Sequence, residues 1–527
     1  MLRWIVSAAL AGSLCAGPAL AQKSGGILKM YFQDNAPSAS ILEEATTSTV
    51  VPFMGIYNNL IVFDQMKERN SLETIIPDLA KSWSANADKT QFNFKLHEGV
   101  KWHDGKPFTA KDVVCTFNLL QGKGEQKLRK NPRLTWYSNL DKVEVISDHE
   151  VTLHLKRPQP SFPILLASGY TPMYPCHASP AQMRTKPIGT GPFKFVEFKQ
   201  NEVIKLTRNT DYFKKGKPYL DGIEFTLIAN RSTAILGFVS KRFDMTAPYV
   251  VTIPLLKDLK AQSPDANCMT SSMNNSTNLI VNKDAPPFDN PKLRQVLLLS
   301  MDRKAFVDIL NQGDAIIGGV MLPPPDGVWG LPPEMFAEVK GYGADVAKSR
   351  AEAREIMKSL GYGPDNRMKM KVSTRNHLLY RDPAVILIDQ LKEVYIDAEL
   401  DLVDTSAWFA KVARKDYSVG LNTTGNGVDD PDQTFFEHYA CGSERNYTNY
   451  CNPEFDKLFV QQSSELDPQK RKQLVWELDR KILEEGTRPI VMWNRAATCL
   501  QPYVKGYVSM VNSLYNGSRY EDIWLDK

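Results

Sequence analysis

The chain has 527 residues, of which 43% are hydrophobic and 24% are charged, an ordinary composition for a soluble globular protein. This length exceeds what one compact core holds, so we expect two or three domains. The formal net charge of +4, from 64 basic and 60 acidic residues, is too small to indicate a nucleic-acid-binding protein.

The first 21 residues have the pattern of a secretory signal peptide. A positive start at Met1 to Arg3 precedes a mostly apolar run from Trp4 to Leu14, and the small residues Ala19 to Ala21 form a cleavage site. A membrane anchor is the alternative, but the run is short and interrupted by glycine, serine and proline. We therefore expect an exported, periplasmic protein whose mature chain begins near Gln22.

Hydrophobic periodicity and turn residues predict the elements of the first half. In chain order these are a strand at 27–32, a helix at 52–60, strands at 61–64 and 91–96, a helix from 109, and strands at 143–146, 151–155, 193–196, 223–229 and 279–282. Asp104-Gly105 is typical of a turn, and Thr109 with Asp112 three residues later predicts a capped helix start. The glycine-rich run before Phe193 lacks the lysine of a phosphate-binding loop, so we interpret it as a turn.

The second half predicts helices and strands in alternation. In chain order these are a helix from 289, a proline-rich loop at 323–333, a helix at 345–360, a strand at 368–374, a helix at 383–394, a strand at 399–403, and helices at 454–464 and 468–485. The run 489–493 then leads back toward the first part of the fold. This alternation favours a mixed sheet with helices on both faces.

Several short runs, in order, cover nearly all of the mature chain and resemble one known family. They are Pro77 to Trp83, Phe92 to Leu96, Gly99 to Val113, Pro187 to Phe195, Arg208 to Phe213, Lys217 to Ile223, Pro287 to Arg294, Ser300 to Arg303, Asn446-Tyr447 and Asn452 to Asp456. Together they resemble the family 5 extracellular solute-binding proteins, the peptide-, dipeptide- and nickel-binding class that serves ABC importers.

This resemblance implies an α/β fold of two lobes, with mixed sheets flanked by helices and an extra subdomain inserted in lobe 1. After the signal peptide at 1–21, lobe 1 is expected at 22–60, its inserted subdomain at 61–187 and its continuation at 188–278. Lobe 2 is expected at 279–489, and residues 490–527 return to lobe 1.

Six cysteines follow the predicted signal peptide, at positions 115, 176, 268, 441, 451 and 499. An even number in an oxidising compartment favours disulfides. Cys441 and Cys451 flank a polar loop that a bridge could close, and some peptide-binding relatives carry one in a similar place, so we predict this pair. The partners of the other four stay open. A metal site is not expected, because no CxxC or nearby histidine pair supplies its ligands.

The richest candidate for ligand binding is the segment Asn422 to Asp432, after a predicted strand. In the family this segment carries a carboxylate for the α-ammonium group of a peptide, but that position falls here at Gly427. A one-residue shift brings Asn426 or Asp429 into the role, and Gly425 lies beside them. The alternative is that Asp429 to Asp432 are turn and capping residues.

Five further side chains are candidates for ligand contact. Arg375 follows a strand and could hold a ligand carboxylate bidentately, with an ion pair as the alternative. Trp408 and Trp493 could stack on a ligand, although large aromatic residues are more often in a core. Tyr31 and Asn494 are candidates from position alone.

We predict a monomeric periplasmic receptor that captures a peptide-like or other small organic solute, such as an organic acid, between its lobes and delivers it to ABC permease subunits. No enzyme is expected, since the chain lacks GxSxG, HExxH and P-loop motifs. No cofactor is expected either, and the small net charge argues against a nucleic-acid partner. The alternatives are a receptor for a metal chelate or haem, an exported hydrolase, and a peptide-holding chaperone.

Overall fold

The structure is a computed structural model that describes residues 22–527. The predicted signal peptide lies outside the described residues. The strands are β1 Ile27–Phe32, β2 Ile61–Phe63, β3 Ile75–Pro77, β4 Ala80–Ala85, β5 Gln91–Leu96, β6 Leu140–Ser147, β7 Glu150–Leu155, β8 Phe193–Lys199, β9 Val203–Arg208, β10 Gly222–Leu227, β11 Met245–Thr246, β12 Val251–Thr252, β13 Asn267–Val281, β14 Met368–Arg375, β15 Ile396–Val403, β16 Val419–Gly425, β17 Ile490–Leu500, β18 Val504–Lys505 and β19 Trp524–Leu525.

The helices vary from one turn to four or five turns. They are α1 Thr47–Phe53, α2 Ala110–Leu120, α3 Phe162–Ala167, α4 Pro180–Thr185, α5 Arg231–Val239, α6 Ile253–Gln262, α7 Pro291–Ser300, α8 Arg303–Asn311, α9 Pro333–Phe336, α10 Val346–Ser359, α11 Leu378–Lys392, α12 Thr405–Ala413, α13 Pro431–His438, α14 Pro453–Ser464, α15 Pro468–Glu484 and α16 Ser513–Asn516. Short 3₁₀ turns lie at Met54–Ile56, Leu72–Thr74 and Leu134–Tyr137.

Two lobes share one mixed sheet. Its strand order is β15-β14-β16-β13-β17-β11-β1-β10-β9-β8, with β12 also paired to β17. The strands β13 and β17 lie in the middle and run antiparallel to each other through both halves. They are therefore the connections between the lobes, and a separate four-stranded sheet, β4-β5-β7-β6, belongs to the first lobe.

Each lobe has its own hydrophobic core. The first-lobe core joins β1 residues such as Leu28 to the four-stranded sheet through Phe94 and Leu153. The second-lobe core packs Leu279 of β13 and Val372 of β14 against helices α7 and α11. A further second-lobe cluster lies around Phe435, Phe459 and Trp493. Separate cores allow each lobe to move as a rigid body.

The predicted strand, turn and capped helix of the first lobe are confirmed. Strand β5 has the predicted bounds and alternates exposed and buried residues. Gly105 has a φ of 88°, which explains a glycine in the turn. Thr109 and Asp112 form a reciprocal capping box at the start of α2. The Asp112 carboxylate also accepts a hydrogen bond from Trp102 Nε1 at 3.3 Å, so one carboxylate joins the cap to the core.

Several predicted bounds are wrong for identifiable reasons. The helix predicted at 52–60 is instead α1, which ends at Phe53, followed by a 3₁₀ turn to Ile56. The helix predicted to begin at Pro383 begins at Leu378, because His377 Nδ1 accepts the Leu379 amide and starts the helix one turn earlier. The strand predicted at 279–282 is the end of the longer β13, and the run 489–493 contains the start of β17.

Three disulfides join the six cysteines. Cys441 and Cys451 are bonded, which is the pair expected from the sequence. The other pairs, which the sequence left open, are Cys115–Cys176 and Cys268–Cys499. The first ties α2 to the loop before α4, and the second joins β13 to β17.

The predicted lobe boundaries at 279 and 490 fall within or at the start of the connecting strands β13 and β17. All of the predicted domain boundaries stay predictions. Between Gln22 and Lys527, no helix combines the length and the apolar character needed to cross a membrane.

Candidate ligand-binding site

The pairing of β13 with β17 is interrupted where the chain passes from one lobe to the other. The register shifts between Ser272 and Ser276, and Asn274 between them has a positive φ of 47°. An irregular break in the pairing of two long strands concentrates backbone flexibility at that position along them. The break therefore marks the boundary between the lobes, and the residues around it are candidates to contact a ligand.

The end of β16 lies directly beside this break. Gly425 pairs with Asn275, and the Asn426 amide donates to the Asn274 carbonyl at 2.9 Å. Asn274 Nδ2 donates in turn to the Val428 carbonyl at 3.3 Å. The Oδ1 atoms of Asn274 and Asn426 are both buried without a hydrogen-bond partner among the described residues. Such buried acceptors need a donor from water or a ligand.

First-lobe residues cover Gly427, which takes the position of the carboxylate that the family uses for an α-ammonium group. The Gly427 carbonyl accepts from Asn516 Nδ2 at 2.7 Å and from Asn512 Nδ2 at 3.2 Å. A Cβ atom at this position would lie 3.1 Å from Tyr170 Cδ2, which is tighter than ordinary packing. The close approach of Tyr170 explains why a glycine fits here, and Gly427 supplies a backbone surface with no negative charge.

The three aspartates after Gly427 have different roles. Asp430 caps α13 by accepting the Asp432 amide at 2.9 Å and pairs with Arg471 at 2.8 Å. This confirms the capping alternative for Asp430. Asp429 Oδ2 accepts the Val328 amide at 2.9 Å, and its Oδ1 is buried without a partner among the described residues. Burial, together with the neighbouring Asp430 charge, raises the pKa of Asp429 to about 7.

Asp432 connects the two lobes directly. Its Oδ2 accepts from Gln159 Nε2 at 2.7 Å and from Ser161 Oγ at 2.6 Å, both in the first lobe. Within the second lobe, Ser463 Oγ donates to the same oxygen at 2.9 Å. Burial opposes ionisation, but Arg471 and these hydrogen bonds outweigh it and hold the pKa of Asp432 below its usual range.

Arg375 also lies between the lobes. Its Nη2 pairs with Asp34 Oδ2 at 2.9 Å, across to the loop after β1. Its Nη1 donates to Tyr380 Oη at 2.6 Å, and Thr405 Oγ1 accepts from the remaining edge of the guanidinium. The structure thus shows the ion-pair alternative, in an arginine whose side chain is 9% exposed.

A comparison with known protein families decides the identity of this fold. The model of the bacterial extracellular solute-binding proteins, family 5 middle, matches residues 74–446. The chain belongs to this family. The prediction of a solute-binding protein is therefore confirmed at the level of the family.

Relatives match this solute-binding protein over most of their length. The glutathione-binding protein GsiB of Pectobacterium atrosepticum is 26% identical over 98% of this chain and 97% of its own. The oligopeptide-binding protein AppA of Bacillus subtilis is 27% identical over 83% and 81%. The solved structure of DppA from Helicobacter pylori, in complex with the peptide STSA, superposes with a TM-score of 0.83 at 20% identity and covers 96% of this chain and 99% of its own. The predicted two-lobed α/β fold is confirmed.

The remaining candidate residues of the solute-binding protein lie in different environments. Trp408 is fully buried with Val412 and Tyr447, and Trp493 is buried in the second-lobe core with its Nε1 bonded to the Gly319 carbonyl. Tyr31 packs edge-on against Phe243 in the first lobe. All three have the core packing that large aromatics commonly have.

Asn494 lies next to the break between the lobes. Its Nδ2 donates to Thr277 Oγ1 at 3.1 Å and to the Asn275 carbonyl at 3.2 Å, so it joins β17 to β13 beside the register shift. The ligand roles of these four residues, and of Gly425, Asn426, Asp429 and Arg375, stay predictions.

Sequence reasoning missed a group of residues that face Glu437 of α13. Trp136 Nε1, from the first lobe, donates to Glu437 Oε2 at 2.8 Å. Gln433 Nε2 donates to the same oxygen at 3.0 Å, and Arg445 forms an ion pair with Glu437 Oε1. Trp136 is about 300 residues from Glu437 in the chain, and no local pattern relates positions so far apart.

Proposed function

We propose that this solute-binding protein captures a peptide-like or other small organic solute between its lobes and delivers it to the permease of an ABC importer. The observation that carries the proposal is the set of buried, unpartnered polar atoms at the end of β16, beside the break in β13. The names of the relatives support it, since they describe proteins that bind di- and tripeptides, oligopeptides and glutathione.

The mechanism is a shift between open and closed populations, with no chemical step. Contacts such as Ser161 with Asp432 and Arg375 with Asp34 join the lobes in the closed form. A solute that contacts both lobes adds its binding free energy to that form alone. The closed population then rises with solute concentration, and the permease recognises this closed, loaded form.

Native mass spectrometry of protein purified from periplasm, without dialysis, tests this function. We expect one small molecule per chain, which calorimetry with the identified compound shows to bind tightly and without turnover. Product formation would favour an exported hydrolase, and weak binding of many unfolded chains would favour a chaperone. A bound metal chelate or haem would move the protein to the alternative ligand class.

The export prediction has a separate test. We propose that the mature protein begins at Gln22, is periplasmic and is monomeric. Amino-terminal sequencing of the periplasmic protein is expected to give Gln22-Lys23-Ser24, and sedimentation is expected to give the mass of one chain. An amino terminus at Met1 would contradict export through this segment.

A further inference from the structure

Three arginines from distant parts of the chain, two of them buried and one mostly buried, lie around the boundary between the lobes. Arg133 comes from the first lobe and is fully buried, while Arg488, from the second lobe, is 3% exposed. Arg445, also from the second lobe, has a side chain that is 11% exposed. We call these three residues the arginine cluster.

The cluster borders the candidate site. The Arg133 guanidinium lies 3.5 Å above the centre of the Tyr170 ring, and this ring packs against Gly427. Arg445 pairs with Glu437, which accepts the first-lobe hydrogen bond from Trp136. Arg488 Nη1 donates to Thr424 Oγ1 of β16 at 2.9 Å. The cluster therefore reaches the end of β16 from both lobes.

Most of the guanidinium donors in the cluster are not used by the protein. Arg133 donates through Nη1 to the Glu44 carbonyl at 2.6 Å, and Arg488 donates only through Nη1. Within residues 22–527, the buried Nε and Nη2 atoms of both arginines, and Nε of Arg445, have no hydrogen-bond partner. Buried donors in folded proteins are almost always paired, so five such atoms in one region require an explanation.

The positive charge of the cluster also exceeds the negative charge of the carboxylate beside it, that of Glu437. Glu437 balances Arg445, but among the described residues neither Arg133 nor Arg488 forms an ion pair with a carboxylate. Burial lowers the pKa of both Arg133 and Arg488, and the positive charge of Arg445 lowers each further. At Arg133 the negative charge of Glu437 opposes part of this effect, whereas no described carboxylate opposes it at Arg488. His438 beside them is buried with both ring nitrogens unpartnered within the described chain. A buried positive charge without a counter-ion is strongly destabilising, so these residues are suited to receive an anion.

A structural arginine in the same molecule shows the contrast. Arg303 is also buried and stacked on a ring, that of Tyr342 at 3.6 Å. However, two of its nitrogens donate to backbone carbonyls, Nε to Ile490 at 2.7 Å and Nη1 to Gly341 at 2.5 Å, and of its three nitrogens only Nη2 has no partner among the described residues. Arg303 thus joins three segments of the second lobe, whereas Arg133 and Arg488 each make one bond.

We propose that the arginine cluster is an anion subsite that binds a carboxylate of the solute, and that the solute is therefore an acidic organic compound rather than a neutral peptide. This proposal rests on the proposed solute-binding function. The glycine at position 427 is consistent with this proposal, because the family carries a carboxylate for an α-ammonium group there and this chain does not. A site without that carboxylate and with excess guanidinium groups favours a negatively charged solute over a positively charged one.

A matched pair of dipeptides tests the subsite. The probes are Glu-Glu and its neutral isostere Gln-Gln, titrated by calorimetry into the mature protein freed of bound solute. We expect Glu-Glu to bind at least tenfold more tightly, since charge-assisted hydrogen bonds to buried arginines contribute this much discrimination. In Arg133→Met and Arg488→Met, each of which removes one charge and keeps a similar volume, the preference is expected to fall below threefold.

The outcomes separate this proposal from the function on which it rests. Equal affinity for the two dipeptides, or a preference that survives in both variants, would overturn the subsite and leave solute capture intact. If neither dipeptide binds, the charge of the solute that co-purifies with the protein tests the subsite instead. A neutral or cationic solute would overturn the subsite. An acidic solute that is lost in Arg488→Met would support it. Absence of any bound compound and of any dipeptide binding would reject the proposed function and this inference together.

The thermal stability of the solute-free protein gives a readout that a structural role would not produce. Arg488 and Arg303 are both buried without a carboxylate partner among the described residues, but Arg488 has two unpartnered nitrogens and one hydrogen bond, so Arg488→Met is expected to raise the Tm of the solute-free protein. Arg303→Met, the matched control, is expected to lower it, because three segments lose their shared donor. A fall in Tm for Arg488→Met similar to that for Arg303→Met would assign Arg488 a structural role and overturn the proposal.

Discussion

Asp479 of α15 is a fully buried carboxylate, and its partners within residues 22–527 are the backbone amides of Val320 at 2.8 Å and Met321 at 3.3 Å. Burial outweighs these two bonds and raises the pKa of Asp479 to about 7. The folded protein therefore keeps this proton up to about pH 7, whereas the unfolded chain releases it near the ordinary aspartate value. Stability from this group is thus present at low pH and is lost as the pH rises from about 4 to about 7.

We expect Asp479→Asn to reduce the fall in unfolding free energy between pH 5 and pH 7 by up to about 1.4 kcal/mol per pH unit, the value for one proton. Urea denaturation at several pH values measures this slope. Asp467→Asn is the control, because hydrogen bonds from the amides of Lys470 and Gln469 lower the pKa of Asp467, so its contribution changes only at lower pH. An unchanged slope in Asp479→Asn would show that Asp479 titrates normally.

Arg375 was a candidate for a ligand carboxylate, and in the structure its donors are taken by Asp34, Tyr380 and Thr405. We expect Arg375→Ala and Asp34→Asn to weaken solute binding by similar factors, about threefold to tenfold, because either change removes the same interlobe pair. The double variant is expected to be no weaker than Arg375→Ala alone. Calorimetry on the four proteins tests this, and a much larger loss for Arg375→Ala than for Asp34→Asn would mean that Arg375 contacts the solute.

At the scale of single elements, the capped helix α2 depends on its first residue. Thr109 and Asp112 satisfy each other's backbone amides at its start. We expect Thr109→Ala to lower the unfolding free energy by about 1 kcal/mol, the usual contribution of such a cap. Thr185→Ala, at an exposed threonine near the end of α4, is expected to change it by less than about 0.5 kcal/mol. Equal effects in urea denaturation would mean that the capping box adds no stability.

The elements that the sequence predicts well are those whose pattern is local. Strands β1 and β5 have the predicted bounds, and α14 and α15 agree to within one residue at each end. The helix bounds that are wrong depend on contacts outside the periodic pattern, as with His377 at the start of α11.

The candidate site was predictable only in part. The segment after β16 was found because it resembles a family motif, and its missing carboxylate at Gly427 was visible in the sequence. The arginine cluster was not, because Arg133, Arg445 and Arg488 come from three distant segments that meet only in the fold. Whether an arginine keeps unpaired donors also depends on all of its neighbours, and no sequence pattern records that.

At the scale of the whole molecule, closure depends on bonds between the lobes. Ser161, from the first lobe, and Ser463, from the second, donate to the same oxygen of Asp432. We expect Ser161→Ala to weaken solute binding about tenfold and to increase the radius of gyration of the solute-free protein, because a bond that exists only in the closed form is lost. Calorimetry and small-angle X-ray scattering measure the two effects.

Ser463→Ala is the matched control for closure. It removes a bond to the same carboxylate, but one made within the second lobe in both open and closed forms. We expect it to lower the unfolding free energy and leave the affinity and the radius of gyration unchanged. If Ser161→Ala behaves in the same way, the Asp432 bonds do not govern closure.

The disulfide between Cys268 and Cys499 fixes where the molecule can bend. These residues are direct partners on β13 and β17, on the first-lobe side of the register shift. This covalent bond keeps the two strands from sliding past each other there, so we expect the lobes to rotate beyond it, where the register shifts between Ser272 and Ser276. Both strands are then held rigidly in the first lobe, and closure is a rotation of the second lobe relative to it.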